Sequence, residues 1–302
     1  MNPASPLTIC IVTWNCRDLA LDCLATLYGR PQGVDFDLIV VDNASTDGTP
    51  EAIREAFLLA EVVANPDNRG FAAANNQGLT AGCSEFLLLL NPDTLVPAGG
   101  LRDLLAVARD HPEAGAVGPK LINPDGSLQY SCRRFPRPWA ALFRDTIFGR
   151  LVYNDPWTRQ YLMTDWAHDE VREVDWVSGA AVLLRRKAVE DVGVLDEQFF
   201  WGSEDVDYCK RLWDAGWKIL YTPQPVITHR IGGSTDRVVI ATVLRRHASW
   251  RRLYAKHFSH GFLDRVFLGA LIWARALGLI TSWLARVGWS KLRTRLSRPK
   301  ST

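Results

Sequence analysis

Phe86–Leu90 is five apolar residues without a break, and it stops at Asn91-Pro92-Asp93. A run that short and that apolar reads as a strand buried on both faces, and the proline ends the sheet there. The feature recurs. Residues 7–12 form a β-branched apolar run that closes on Thr13-Trp14-Asn15, and residues 36–41 form another that closes on Asp42-Asn43. Residues 61–64 read as a short strand of the same series. Between these runs lie helical segments: residues 17–28, with Leu19, Leu24 and Leu27 in register, residues 47–58, and the Ala-rich stretch after Arg69-Gly70. Short apolar strands alternating with helices predict an α/β chain with a mostly parallel, doubly wound sheet. In such a sheet ligands bind just outside the carboxyl ends of the strands, which is where these polar residues fall.

Beyond residue 101 the pattern predicts a helix to about residue 110, then strand, Pro124-Asp125-Gly126 turn and strand. Residues 131–173 are irregular and rich in Arg, Trp and Pro, a loop over the site or a surface excursion. Residues 174–184 read as one strand, residues 204–215 as a helix closed by Gly216, and residues 217–221 and 225–228 as two short strands. Six cysteines are scattered without a CxxC or zinc spacing. The first six residues lack the features of a signal peptide, so the sequence reads as a reduced, cytoplasmic protein.

The net charge of +2 hides a division. Residues 237–302 hold 14 of the 35 Lys and Arg but one acid, Asp264, giving +13 against −11 for the rest. An acidic body with a basic, Trp-containing tail points to an anionic partner. Residues 266–285 match the roughly 20 residues of a membrane span, but Arg275 at mid-span costs about 3 kcal/mol there. On a helix, Arg275, Ser282, Arg286 and Arg293 share a narrow stripe, and Trp273, Trp283 and Trp289 lie on the apolar remainder. Basic clusters at Arg245, Arg246, Arg251 and Arg252, and at Lys291, Arg293, Arg295 and Arg298, suit anionic headgroups. The tail is expected to lie on a membrane surface; packing as a helical hairpin or dimer interface is the alternative. Embedded Trp favours lipid over nucleic acid.

Three clusters carry candidate chemistry. Asp93 can hold a hard divalent cation beside substrate phosphates, or form an Asx turn or helix cap. Glu204, Asp205 and Asp207 open a helix, where the dipole favours acids, directly after the aromatic run Phe199, Phe200 and Trp201; a carboxylate so placed can serve as a general base for a hydroxyl. His229, ahead of Gly232-Gly233, is a ligand for Mn²⁺-like ions or a structural residue.

Taken in order, "IVTWN", "VVDNASTDGT", "NRGFAAANNQGL", "LLLLNPDTLV", "WVSGAAVLLRR", "FFWGSEDVDYCKRL" and "HRIGGS" resemble an inverting glycosyltransferase of family 2 with the GT-A fold, over residues 7–234. The NPD form and the aromatic segment before Glu204 resemble the rhamnosyltransferase branch that builds bacterial cell-surface polysaccharide. The resemblance implies a Rossmann-like, mostly parallel sheet over residues 1–236, with residues 237–302 as a helical tail. It implies that Asp42 contacts the nucleotide base, with Thr13, Asn15, Asn43, Arg69, Gly70, Asn76 and Asn91 around the donor nucleotide. Asn91 stands where the family has the first acid of an Asp-x-Asp metal motif, leaving Asp93 and His229 to hold Mg²⁺ or Mn²⁺. Asp205 becomes the base, oriented by Glu204, with Trp176, Gly179, Phe200 and Trp201 on the acceptor side. The implied donor is dTDP-L-rhamnose, with a UDP-hexose or UDP-galactofuranose as alternative, and the implied acceptor is a saccharide or a polyprenyl-diphosphate-linked sugar at the inner face of the cell membrane. A nucleotidyltransferase would need a Gly-rich loop after the first strand, and "TWNCRDLA" has no Gly. A silent binding protein would lack the acids at 93 or 205, and both are present.

Overall fold

Phe86–Leu90 is a central strand because both of its faces are covered. Phe86, Leu88 and Leu90 pack with Leu24, Leu27, Leu101 and Leu104 on one side, while Leu87 and Leu89 pack with Leu79, Leu184 and Leu212 on the other. A strand buried twice has no polar face to alternate, hence the unbroken run.

The computed structural model describes residues 5–136, 156–230 and 239–296. In chain order its elements are β1 (Leu7–Thr13), α1 (Arg17–Tyr28), β2 (Phe36–Asp42), α2 (Thr49–Ala56), β3 (Ala60–Ala64), α3 (Phe71–Ala81), β4 (Phe86–Leu90), β5 (Thr94–Leu95), α4 (Gly100–Asp110), β6 (Ala114–Ile122), β7 (Leu128–Gln129), β8 (Cys132–Arg133), α5 (Pro156–Leu162), β9 (Arg172–Val174), β10 (Trp176–Val177), β11 (Ala181–Arg185), α6 (Arg186–Val192), α7 (Glu204–Asp214), β12 (Lys218–His229), α8 (Val239–His257) and α9 (Phe262–Leu296). The main sheet runs β3-β2-β1-β4-β11-β6-β12-β5. Its first four strands are parallel, as expected, and β6 and β12 are parallel to each other. β11 is antiparallel to both β4 and β6, and β5 to β12. Because β11 is flanked by antiparallel partners on both sides, the carboxyl ends of β1, β2, β4, β6 and β12 all reach one rim. The rim therefore collects Thr13, Asp42, Asn91 and His229, with Asn91 N–H donating to Ala180 O at 2.8 Å where β11 begins.

Two strand expectations need correction. Residues 174–184 are not one strand, because Asp175 turns out of line to accept from Arg134 (2.9 Å) and from the Phe135 N–H (2.6 Å). Trp176–Val177 then pairs with β8 in a separate ribbon, and Ser178-Gly179-Ala180 breaks the path before β11. Conversely, the two strands read in residues 217–228 are a single β12, whose register against β6 shifts between Thr222 and Val226. The second helix starts at Thr49 rather than 47, since Asp47 is taken up by the Thr49 N–H and hydroxyl and by the Arg17 N–H.

Cys10, Cys16, Cys23, Cys132 and Cys209 are buried and free, and burial pushes each thiol up to about 12. Thiols held neutral in this way are core residues, not nucleophiles.

The basic helix α8 is docked on the body. Asp207, fully buried on α7, accepts from His257 Nε2 (2.6 Å), Lys256 Nζ (2.7 Å) and Arg211 Nε (3.0 Å). Burial pushes this carboxyl up, but the bonds from His257 and Lys256 and the charge of Arg211 outweigh it, and its pKa lies below the usual value. Ser249 Oγ donates to Trp201 O, and Arg252 bonds Gln198. α9 folds back on α8 through Ile272 against Tyr254. Arg275 does not look outward: its Nη1 is 2.7 Å from His247 Nε2, and its guanidinium lies 4.8 Å from the Trp250 ring. The outward face of α9 is consequently apolar, with Leu263, Val266, Phe267, Trp273, Leu277 and Leu284 exposed. Phe262–Ala285 is long and apolar enough to cross a membrane by length and composition. Gly232, Gly233 and Ser234, residues 137–155 of the irregular loop, and the side chains of Arg286, Trp289, Lys291, Arg293, Arg295 and Arg298 lie outside the described residues.

Candidate active site

Two cavities meet at the sheet rim. The first, about 430 Å³, is lined by Thr13, Trp14, Asn43, Gly70, Asn91, Asp93, Phe200, Trp201 and Arg245; the second, about 590 Å³, by Trp176, Gly179, Trp201, Glu204, Asp205 and His229 among others. Phe71, Asn91 and Trp201 line both, so the two form one divided crevice.

The first cavity gathers part of the set expected around a nucleotide. Asn43 lines it and is fixed by donating to Gly70 O (3.0 Å) and accepting from the Arg69 N–H (3.2 Å). Gly70 has φ +87°, and a Cβ there would meet Phe200 O at 2.7 Å, so only glycine lets the two walls close. Four other residues take different places. Asp42, 1% exposed, accepts from the Thr13 hydroxyl (2.8 Å) and from Ser45 N–H (2.8 Å) and Oγ (2.6 Å). Asn15 Oδ1 accepts from the Thr46 N–H at 2.7 Å. Both therefore brace the loop after β2 instead of lining the cavity. The Arg69 side chain is exposed and outside the lining. Asn76 is buried away from the crevice, where it bonds Leu195 N and O and Glu197, tethering the segment that leads to Phe200. Phe199, read as part of the aromatic wall, is fully buried in the core; Phe200 and Trp201 face the crevice.

Asp93 and His229 are brought together by the β5–β12 pairing, with Asp93 Oδ1 3.2 Å from His229 Nε2 and each side chain 12% exposed. Gln129 Nε2 donates to His229 O (2.7 Å) and Asn123 Oδ1 (2.8 Å), which turns its Oε1 toward His229 Nδ1 at 2.9 Å. Nδ1 therefore carries the proton in the neutral ring, and Nε2 presents a lone pair toward the carboxylate. Asp93 Oδ1 and Asn91 Oδ1 are buried without a hydrogen-bond partner. In that tautomer the imidazole lone pair and the orphaned Asp93 oxygen, 3.2 Å apart, suit a shared cation. Asp93 and His229 Nε2 thus fit a divalent ion with oxygen and imidazole preference. Among the described residues no group of three or more His, Cys, Asp or Glu stands ready to enclose a metal, so further ligands would have to come from water or a bound anion.

Glu204 and Asp205 begin α7 after Gly202 and Ser203, both at positive φ. Asp205 Oδ2 accepts from the Gly179 N–H (3.2 Å) and Oδ1 from the Val206 N–H (2.8 Å). Burial raises its pKa, opposed by those N–H groups and by Arg133. Glu204 Oε2 is buried without a partner, and burial together with the Asp205 charge pushes that carboxyl up to about 8. Glu204 is pushed up without a partner while backbone N–H groups stabilise the Asp205 carboxylate, so two adjacent carboxyls have different environments, as an acid and base pair requires.

Sequence reasoning read α8 as part of a helical membrane-facing tail and missed its place in the crevice. Ala241, Thr242 and Arg245 line the first cavity, and Arg246, Trp250, Leu253 and Tyr254 the second. Arg245 lies over Phe200 at 4.4 Å and is the one cation among the described lining of the first cavity. The signal was the four-residue spacing of Arg246, Trp250 and Tyr254, which puts them on one helical face. Gln129 sits in a two-residue strand and gave no signal.

The Glycosyl transferase family 2 model matches residues 8–192, and the family 21 model matches residues 140–294. An N-acetylglucosaminyl-diphospho-decaprenol L-rhamnosyltransferase of Mycobacterium tuberculosis is 34% identical over 247 residues, covering 77% of each chain. An O-antigen biosynthesis protein of Myxococcus xanthus is 28% identical over 78% of this chain and 18% of its own. A mannosyltransferase of Pyrobaculum calidifontis, solved with GDP-Man and Mn²⁺, superposes with TM-score 0.58 at 22% identity, covering 97% of this chain and 84% of its own.

Proposed function

Because the chain belongs to glycosyl transferase family 2, we propose that it transfers L-rhamnose from dTDP-L-rhamnose, with inversion, to a sugar carried on a polyprenyl diphosphate. The observation that carries this reading is the divided crevice: Asp93 and Arg245 stand in one half and Asp205 in the other, with Asn91, Phe71 and Trp201 between. A donor in the first half presents its anomeric carbon to an acceptor hydroxyl in the second. Asp205 takes the proton of that hydroxyl as it attacks, held in place by the Gly179 N–H. Displacement from the side opposite the leaving diphosphate inverts the centre and needs no covalent sugar–enzyme intermediate. Arg245 places positive charge where the leaving diphosphate develops its own negative charge. Asp93 and His229 would hold Mg²⁺ or Mn²⁺, which when bound neutralises the diphosphate as a Lewis acid. Phe200 and Trp201 wall the junction and exclude water. The outward apolar face of α9 supports seating on the inner leaflet of the cell membrane, beside a lipid-linked acceptor.

The test combines binding and transfer. Thermal shifts with dTDP-L-rhamnose, UDP-hexoses and GDP-mannose, each with and without Mg²⁺ or Mn²⁺, identify the donor, since a ligand of the folded state alone raises its stability. Transfer to a short-chain GlcNAc-diphospho-polyprenol is followed by mass spectrometry, and the anomeric configuration by NMR. A larger shift with a UDP-sugar would replace the donor, and retention of configuration would overturn the mechanism.

A further inference from the structure

The second cavity is lined by charge of both signs. Glu204 and Asp205 supply the negative charge. Elsewhere on its lining are two arginines, each lying over an indole of the same wall: Arg133 over Trp176 at 5.2 Å, and Arg246 over Trp250 at 5.5 Å. A guanidinium over an aromatic face keeps its plane oriented, and its fork of donors suits paired phosphate oxygens. The Arg246 stem passes Gly202, at 4.0 Å from where a Cβ would lie, two residues before Glu204. Trp250 is also flanked by Arg275 of α9 at 4.8 Å, so this part of the cavity continues into the helix whose outer face is apolar.

From this arrangement we propose that Arg133 and Arg246 bind the diphosphate of a lipid-linked acceptor, so that the enzyme selects acceptors by an anionic group remote from the reacting hydroxyl. The assignment rests on the function proposed above. A hexose whose ring hydroxyl lies at Asp205 carries its anomeric diphosphate across the ring, within the same cavity that Arg133 and Arg246 line. The arginines meet it there, and the lipid then leaves toward α9. An anionic lipid headgroup offers the same phosphate chemistry, and the two sources are separated as follows.

The first arm compares Arg246→Ala with the parent on GlcNAc-diphospho-polyprenol and on an octyl glycoside of the same sugar. The ratio of kcat/KM for the two acceptors should fall at least tenfold, mainly through KM of the diphosphate acceptor, and Arg246→Lys should recover part of it. A ratio unchanged within twofold overturns the proposal, whether or not both activities fall together. The second arm needs no transfer: geranylgeranyl diphosphate binding is measured by calorimetry without donor, on samples whose melting temperatures show them folded. Binding at least tenfold weaker in Arg246→Ala and Arg133→Lys supports the proposal, and absent or equal binding overturns it, even if the donor reading is wrong. In the third arm, Arg246→Ala should still float with phosphatidylglycerol vesicles. Loss of flotation with retained diphosphate binding would assign the cation to headgroups instead.

Discussion

Glu204→Gln separates a carboxyl held neutral from one that is merely buried. In the parent, burial and the neighbouring Asp205 charge raise the Glu204 pKa from 4.5 to about 8. One unit corresponds to about 1.4 kcal/mol, so the penalty on the folded state grows to about 5 kcal/mol across that window. The sign follows from linkage: a folded pKa above the unfolded one favours the protonated, folded form. The contribution is present in full below about pH 4.5 and is lost as pH rises through about 8. Gln has the shape of the neutral acid and no proton to lose. Urea unfolding at several values between about pH 5 and about pH 9 should show the parent losing several kcal/mol more than the variant. At the alkaline end the variant should be the more stable protein. Asp205 is present in both but interacts with Glu204, so the difference reports the pair with and without an ionisable Glu204. Parallel stability curves for the two proteins would refute the neutral-acid reading.

Asp205→Asn should retain donor binding by thermal shift and lower kcat by roughly 10²–10⁴-fold; full transfer by this variant would sink the base assignment. Asp93→Ala should remove the part of nucleotide binding that depends on Mg²⁺ or Mn²⁺, read by calorimetry with and without chelator, and equal binding in both conditions for parent and variant would exclude the ligand pair. Leu263→Ser, Phe267→Ser and Trp273→Ser together remove three exposed apolar side chains worth about 2 kcal/mol each on burial. Vesicle flotation should drop more than a hundredfold without change in melting temperature, and undiminished flotation would place the membrane contact elsewhere.

The parallel half of the sheet was legible because strands buried on both faces leave an unbroken apolar run, as in Phe86–Leu90, and because helix period separates them. The polar strand ends were legible for the same reason, since an Asp or Asn after such a run has only the rim to occupy. The break at Ser178-Gly179-Ala180 was not, because Trp176, Val177 and residues 181–184 are equally apolar whether they share a strand or lie in two sheets. Asp42 and Asn76 were read for their type and position in a motif. Their long-range partners, Thr13 on the neighbouring strand and Leu195 more than a hundred residues away, are set by tertiary packing. Arg245, Arg246 and Arg275 were read as surface charge because a count of basic residues carries no direction. Only the docking of α8 shows two of them turned into the crevice and the third turned onto Trp250.

That docking gives the site its economy of parts. On the proposed function, Asn91 leaves Asp93 as the one carboxylate beside His229 to hold a cation, so fewer side chains fix the ion against the diphosphate. α8 adds the positive charge of Arg245 from outside the sheet. It is held by the buried Asp207, which accepts from Arg211, Lys256 and His257, and removing that carboxylate would leave the charges that face it uncompensated. The same helix then extends Arg245 to one half of the crevice and Arg246, the next residue, to the other, with Trp201 bordering both. On its far side it carries α9 with the apolar face. On the proposed function, a shift of α8 would alter donor contacts, acceptor contacts and membrane seating at once, which would make the Asp207 cluster a positioning element for all three.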